Sequence, residues 1–238
     1  MLAPTVSRQP MPASSDKTRQ RILTVAERLF ARQGLGSTSL RAIAREADVS
    51  FALVSYHFGT KDDLYQAIFE RRYGPPTAER LARLAAIDLD AADPRKLERV
   101  VAAFLEPILK LRQQRGSRHF ATLLAREASD PEESRRGILE RYVDPTARAF
   151  IGALGKTLPG VPASDVAWGY QFLVGSLVLH LADTSRITRL SGGAARSGDT
   201  EAAFARLVDY AAGGMRALAG APTAPRAYDS PTIRKPGR

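Results

Sequence analysis

Three short apolar stripes crowd into residues 22–58, and the turns between them are so brief that the chain must double back at once. The first stripe is Ile22, Val25, Ala26, Leu29 and Phe30, the i, i+3, i+4, i+7, i+8 pattern of one helical face, and it stops at Gly34. The second is Leu40, Ile43, Ala44 and Ala47, entered through Thr38 as N-cap. Asp48-Val49-Ser50 then makes a three-residue turn, with Asp48 where a left-handed residue is needed, and a third short helix follows over 51–57. Thr60 caps a fourth helix. Asp63 stands in capping-box position, and Asp62 and Asp63 suit the positive end of the helix dipole. Two short helices joined by a three-residue turn make a helix-turn-helix, whose second helix fits the major groove of DNA. In this arrangement Val49 and Val54 anchor the second helix, while Ser50, Phe51, Ala52, Leu53 and Ser55 face outward.

Helical periodicity continues through the rest of the chain, and no segment alternates as a strand does. Gly74-Pro75-Pro76 reads as a break. A longer helix then starts at Asp93-Pro94, carries Leu97, Val100, Val101, Phe104, Leu105 and Ile108, and should kink at Pro107. Further helices are expected over 117–128, from Asp130-Pro131, over 164–184 and over 200–219, with a flexible loop at "RLSGGAARSGD". The expected fold is all-α, with an N-terminal three-helix helix-turn-helix domain and a larger C-terminal helical domain. The divisions are a disordered arm at 1–15, the DNA-binding domain at 16–73, the larger domain at 74–220 and a disordered basic tail at 221–238.

Composition narrows the function. Apolar residues make up 44% of the 238, enough for a substantial core, and cysteine is absent, which excludes disulfides and thiolate metal sites. The net charge of +10 suits a polyanionic partner, although the basic surplus is spread along the chain. Prolines at the N-terminus interrupt any signal-like apolar run, so a cytoplasmic location is expected. The most apolar window, 166–182, contains Gln171, Ser176 and His180 and reads as a buried helix, so no membrane partner is expected. The three histidines, His57, His119 and His180, have no metal-binding spacing. "GLGSTS" lacks the third glycine and preceding strand of a dinucleotide loop, and no Gly-x-Ser-x-Gly elbow occurs. No catalytic residue, metal or cofactor is implied. A helical enzyme or small-molecule carrier that has lost DNA binding is the alternative, but no convergent polar constellation supports it.

The stretch "RILTVAERLFARQGLGSTSLRAIAREADVSFALVSYHFGTKDDLY" resembles the DNA-binding domain of the TetR family of transcriptional repressors over about residues 17–70. The resemblance rests on the first stripe and its closing glycine, on Ile43-Ala44 with Ala47-Asp48-Val49-Ser50, and on Tyr56-His57-Phe58 followed by Lys61 and Leu64. It implies that Tyr56, His57 and Lys61 contact DNA phosphates, with Thr38 and Ser39 as further phosphate partners. Ser50, Phe51, Ala52, Leu53 and Ser55 then set base preference, with Arg41 as a longer reach. A helix N-terminus beside a lysine is an anion site, and phosphate contacts fix register without reading sequence.

The same resemblance implies a homodimer on double-stranded DNA at a palindromic operator, released by a small apolar effector. The two apolar helices at 164–184 and 200–219 are the expected dimer helices. Candidate pocket residues are Phe104, Leu105, Ile108, Phe120, Leu123, Leu124, Trp168 and Phe172, with His119, Arg126 and Gln171 as polar anchors. "LLAREASDPE", "YVDPTARAFIGAL" and "AAGGMRA" are similar to the PsrA-like subgroup, which implies a fatty acid or acyl-CoA as effector.

Overall fold

The first stripe becomes the inner face of α1 (Ala13–Gln33), where Ile22, Leu23, Ala26, Leu29 and Phe30 are fully or almost fully buried. The computed structural model describes residues 13–219 apart from 115 and 183. Residues 13–15, expected within the arm, belong to α1, whose first turn carries Asp16 where the helix dipole favours it. The remainder of the arm and the basic tail lie outside the described residues. Gly34 ends the helix in the left-handed region, at φ +84°.

The cap of α2 (Leu40–Glu46) is Ser39 rather than Thr38: the Ser39 hydroxyl accepts from the Ala42 amide at 3.1 Å. Asp48 turns the chain at φ +50°, and Ser50 caps α3 (Phe51–Phe58) by accepting from the Leu53 amide. The capping box of α4 (Lys61–Ala85) is formed in both directions. The Asp63 amide donates to the Thr60 hydroxyl and the Thr60 amide to the Asp63 carboxylate. α4 does not break at Gly74-Pro75-Pro76. Tyr73, Pro76 and Arg80 are all buried, so packing on both sides of the prolines holds the helix together where local propensity alone would end it.

α5 (Lys96–Gln113) is the central rod, packed by α4, α6 (Arg118–Glu127), α8 (Asp144–Thr157), α9 (Ala163–Ala182) and α11 (Thr200–Ala219). The helix expected from Asp130 is a single turn, α7 (Glu133–Arg136), because Gly137 turns left-handed at φ +62°. A π-helical segment, Leu139–Val143, follows and leads into α8. The loop expected to be flexible is instead pinned behind α10 (Arg186–Leu190). There Ala195 donates to the Ser191 hydroxyl and Ser197 to the Thr188 hydroxyl, each at 2.9 Å. No strand occurs among the described residues, and no helix there is long and apolar enough to cross a membrane.

The N-terminal helices are joined to the rest by α1 and α4 lying against α5 and α6. A chain of edge-on and tilted rings, Phe30–Tyr65–Phe69–Phe120, crosses the seam at 5.3–5.4 Å between centroids. Beside it Glu27, 2% exposed, accepts from Arg71 at 2.8 Å and from Arg72 at 2.7 Å, fastening α1 to α4. Glu27→Ala removes the buried carboxylate that two half-buried guanidinium groups share and should lower stability by about 3 kcal/mol, the cost of breaking a buried ion pair. Arg28→Ala, which breaks an exposed pair with Glu46, should cost less than about 1 kcal/mol. Urea unfolding of the two variants checks the contrast.

Candidate nucleic-acid interface

α2 and α3 hold their outer faces open because their inner faces are spent on the core: Ile43, Ala44, Ala47 and Val54 are buried and Val49 packs against them. What remains outside on α3 is Phe51, Ala52 and Tyr56, all exposed, with Leu53 and Ser55 half-buried beside them. Tyr56 is 76% exposed, so its ring is free to reach a partner. Arg41, from the start of α2, lies over the Phe51 ring at 5.7 Å, and this joins the two helices' outer faces by a cation–π contact.

The N-terminal caps of α2 and α3, Ser39 and Ser50, are both exposed. Lys61 Nζ donates to the Leu35 carbonyl at 2.8 Å, so the loop after α1 and the start of α4 meet at one cation. Thr38 departs from its expected role. It is 1% exposed and its hydroxyl donates to the Gly34 carbonyl at 2.8 Å, so it latches the turn from inside and offers nothing to solvent. Thr38 and Ser39 are adjacent hydroxyls, and only burial decides which one latches and which one caps.

At the far end of α3, His57 is half-buried and stands edge-on to Tyr56, 5.4 Å between ring centroids. Partial burial and the nearby Arg19 guanidinium hold the His57 imidazole below its usual pKa, so it is neutral at neutral pH. Arg19 also lies over the Phe58 ring at 5.2 Å. It is a cation of α1 brought to this face by the fold, and nothing in its place on the helix singles it out in the sequence. Gly59 closes α3 at φ +69° and ψ −98°, a conformation open to glycine alone.

Six of the expected pocket residues lie together in the core, and the other five do not join them. Phe104, Leu105, Ile108, Phe120, Leu123 and Leu124 are core residues of α5 and α6. Arg126 and Gln171 are exposed and line a surface groove of about 640 Å³ between α6 and α9. His119 is half-buried. Trp168 and Phe172 stack on one another at 5.8 Å on an exposed face of α9, 58% and 59% accessible. The α9 helix is apolar on several sides, and in sequence an interior side and an uncovered side look alike.

Comparison with known proteins agrees with this geometry. The model of bacterial regulatory proteins of the TetR family matches residues 22–68, and that of the tetracyclin repressor-like C-terminal domain matches residues 102–214. The chain belongs to the TetR family of transcriptional regulators, which are not enzymes. Among curated relatives, the HTH-type transcriptional regulator AcrR of Shigella flexneri is 48% identical over 56 residues, 24% of this chain and 26% of its own. SrpR of Pseudomonas putida is 29% identical over 118 residues, half of either chain. The chain thus spans between about a quarter and a half of the length of such relatives. Of solved structures, NalD, the secondary repressor of the MexAB-OprM multidrug efflux pump in Pseudomonas aeruginosa, is 27% identical with a TM-score of 0.58, covering 84% of this chain and 97% of its own. A TetR-like regulator from Rhodococcus shares the fold, at 24% identity and a TM-score of 0.58, covering 90% and 100%.

The two readings of Thr38 separate experimentally. Thr38→Val removes the partner of the Gly34 carbonyl and should cost the free protein about 1–2 kcal/mol, while Thr38→Ser keeps the bond and most of the stability. Equal stability of all three proteins by thermal unfolding would return Thr38 to a surface role.

Proposed function

We propose that the protein is a ligand-responsive repressor that binds a palindromic operator in double-stranded DNA as a homodimer. The observation that carries this is the open face formed by the N-termini of α2 and α3 with Lys61, Tyr56 and His57 around the outer residues of α3. Backbone amides and cations on that face suit phosphates, and the exposed side chains of α3 suit base edges in the major groove. Few of those side chains form bidentate hydrogen bonds, so thymine methyl contacts and DNA shape carry the base preference. We assign DNA reading to residues 16–73, and effector binding and dimerisation to 74–220, with α4 shared between them.

The dimer rests on the uncovered aromatic and apolar side chains of α9 and α11. Trp168, Phe172 and Leu179 lie on one helix and Tyr210 on the other, all exposed. Two such helices from each of two copies form a four-helix bundle, which sets the two reading helices about one DNA turn apart, roughly 34–36 Å. The effector is a small, largely apolar molecule, with fatty acids and acyl-CoAs the first to test. It releases DNA by favouring a conformer whose reading helices no longer fit successive grooves, for a coupling of roughly 1–3 kcal/mol.

Lys61→Ala should weaken binding to operator and to random DNA by similar factors and reduce the slope of log affinity against log salt by about one unit. Titration across salt concentrations by fluorescence anisotropy measures it, and an unchanged slope with altered sequence preference removes Lys61 from the phosphate contacts. For His57 the sign follows from its depressed pKa. The imidazole is neutral in the free protein, a facing phosphate favours the imidazolium, and binding therefore takes up a proton. Operator affinity should rise as pH falls through the ordinary histidine range around 6.5, and His57→Gln should flatten that rise.

A further inference from the structure

Two of the buried ionic groups in this protein are neutralised where they stand. Glu27 is paired by Arg71 and Arg72. Glu127, 1% exposed, is held by Arg136 through both of its oxygens, at 3.1 and 3.0 Å, and by the Tyr65 hydroxyl at 3.0 Å. Arg80 is different. It is 3% exposed, on the core face of α4, and it makes no ion pair with any described residue. Its Nε donates to the Phe104 carbonyl at 2.7 Å and its Nη1 to the Tyr73 hydroxyl at 3.1 Å, while its guanidinium lies 3.9 Å from the centre of the Phe104 ring. These partners offer dipoles and a π-face but no negative charge. Burial pulls the guanidinium below the usual arginine range, yet arginine has no accessible neutral form near neutral pH, so an uncompensated cation stays in the core.

The surroundings are those of a receptor for an anion. Thr77, one turn back on the same face of α4, has a buried hydroxyl with no hydrogen-bond partner. Tyr170 on α9 meets the Phe104 ring at 5.4 Å, and burial raises its phenol, so it stays protonated and able to donate. Phe150 on α8 closes the other side of Phe104 at 5.1 Å. A cation and the Tyr73 hydroxyl thus meet beside an aromatic wall, with Tyr170 close enough to feel the Arg80 charge and the Thr77 hydroxyl buried on the same face of α4. The rings fill the space in this conformation, and the helices that carry them have weak points close by. Pro75 and Pro76 lie within about a turn of Arg80, and Pro107 within a turn of Phe104. Each proline withholds an amide and leaves a carbonyl of its own helix without its usual partner, so α4 and α5 can each bend there at less cost than elsewhere along their length.

We propose that Arg80 is the anion-binding group of the effector site. The ligand carries one negatively charged head, a carboxylate, on a compact apolar body, and the head pairs with Arg80 between α4 and α5. This rests on the ligand-responsive reading above and adds to it the charge of the ligand and the residue that recognises it. It also accounts for a cation that costs the free protein stability, because an apolar residue of similar volume would pack there without the desolvation penalty.

The test uses the full chain and probe pairs that differ only in charge: decanoate with decanol, and 2-naphthoate with 2-naphthamide. At saturating concentration at least one carboxylate should raise the melting temperature of the wild type by about 2–4 °C and weaken operator binding, with its neutral partner at least tenfold less effective. Arg80→Met should melt at or above the wild-type temperature, bind operator normally and lose the response to carboxylates. Arg80→Gln, which keeps a donor for the Phe104 carbonyl, guards against misfolding of the methionine variant and should be equally blind. If carboxylates and neutral partners act alike, or either folded variant keeps the carboxylate response, Arg80 is a structural tie and the proposal is overturned while ligand sensing stands. If no probe moves melting or operator affinity, the ligand-sensing reading falls together with this one.

Discussion

A carboxylate sealed from water stays charged only if its partners supply what water did, and Glu127 shows how far the fold goes to supply it. Arg136 forks onto both of its oxygens, and Tyr65 donates a further bond, with its phenol pushed up by burial and by the Glu127 charge. Removing Arg136 leaves a buried charge uncompensated and removing Tyr65 leaves it short of a hydrogen bond, so α4, α6 and α7 are held in a single arrangement. The Glu27 pairs do the same for α1 and α4 on the other side of the Phe30–Tyr65–Phe69–Phe120 rings. The rings supply most of the apolar burial at this seam. The ion pairs are directional and supply the register.

α4 therefore belongs to both halves of the molecule. Its first turn carries Lys61 and the Thr60–Asp63 box, which set the end of α3, and its middle carries Tyr65 and Phe69 in the seam. Its last third carries Arg80 against Phe104 in the centre of the larger helical bundle. No loop separates the reading face from that bundle. A conformational signal crosses only the short turn at Gly59-Thr60, which the Thr60–Asp63 capping box ties to the first turn of α4.

Much of this was legible in the sequence, because the features that set the N-terminal helices are local. The stripe from Ile22 to Phe30, the left-handed Asp48 and the Thr60–Asp63 box each act within one or two turns of chain, and the structure has all three. What failed depends on distant partners. Ser39 takes the cap expected of Thr38 because the Gly34 carbonyl claims the Thr38 hydroxyl. The Gly74-Pro75-Pro76 break disappears because buried residues flank it. Trp168 and Phe172 suggested a pocket, but nothing in a helix that is apolar on several sides tells which side another helix will cover. The place of Arg80 also leaves a mark in the sequence. Phe69, Tyr73, Pro76 and Arg80 follow one another at spacings of four, three and four, so a charge sits on the buried stripe of α4.

The length of α4 sets the scale of any coupling between the two halves. Twenty-five residues at 1.5 Å each make a rod of roughly 37 Å. If such a rod pivots by about 5° at the Arg80 end, its other end moves by roughly 3 Å, about the length of one hydrogen bond. That is enough to break a phosphate contact at Lys61 and too little to require any rearrangement of the α2–α3 corner. The prolines bear on where the pivot lies. Arg80 and Phe104 face one another between Pro75-Pro76 and Pro107, so bending either helix there costs fewer backbone bonds than bending it elsewhere. The Glu27 and Glu127 clusters resist shear at the seam and carry the tilt to the reading face instead of absorbing it. A ligand that prefers the separated state need supply only the difference between the two packings, because close-packed interiors switch between discrete arrangements and do not deform gradually.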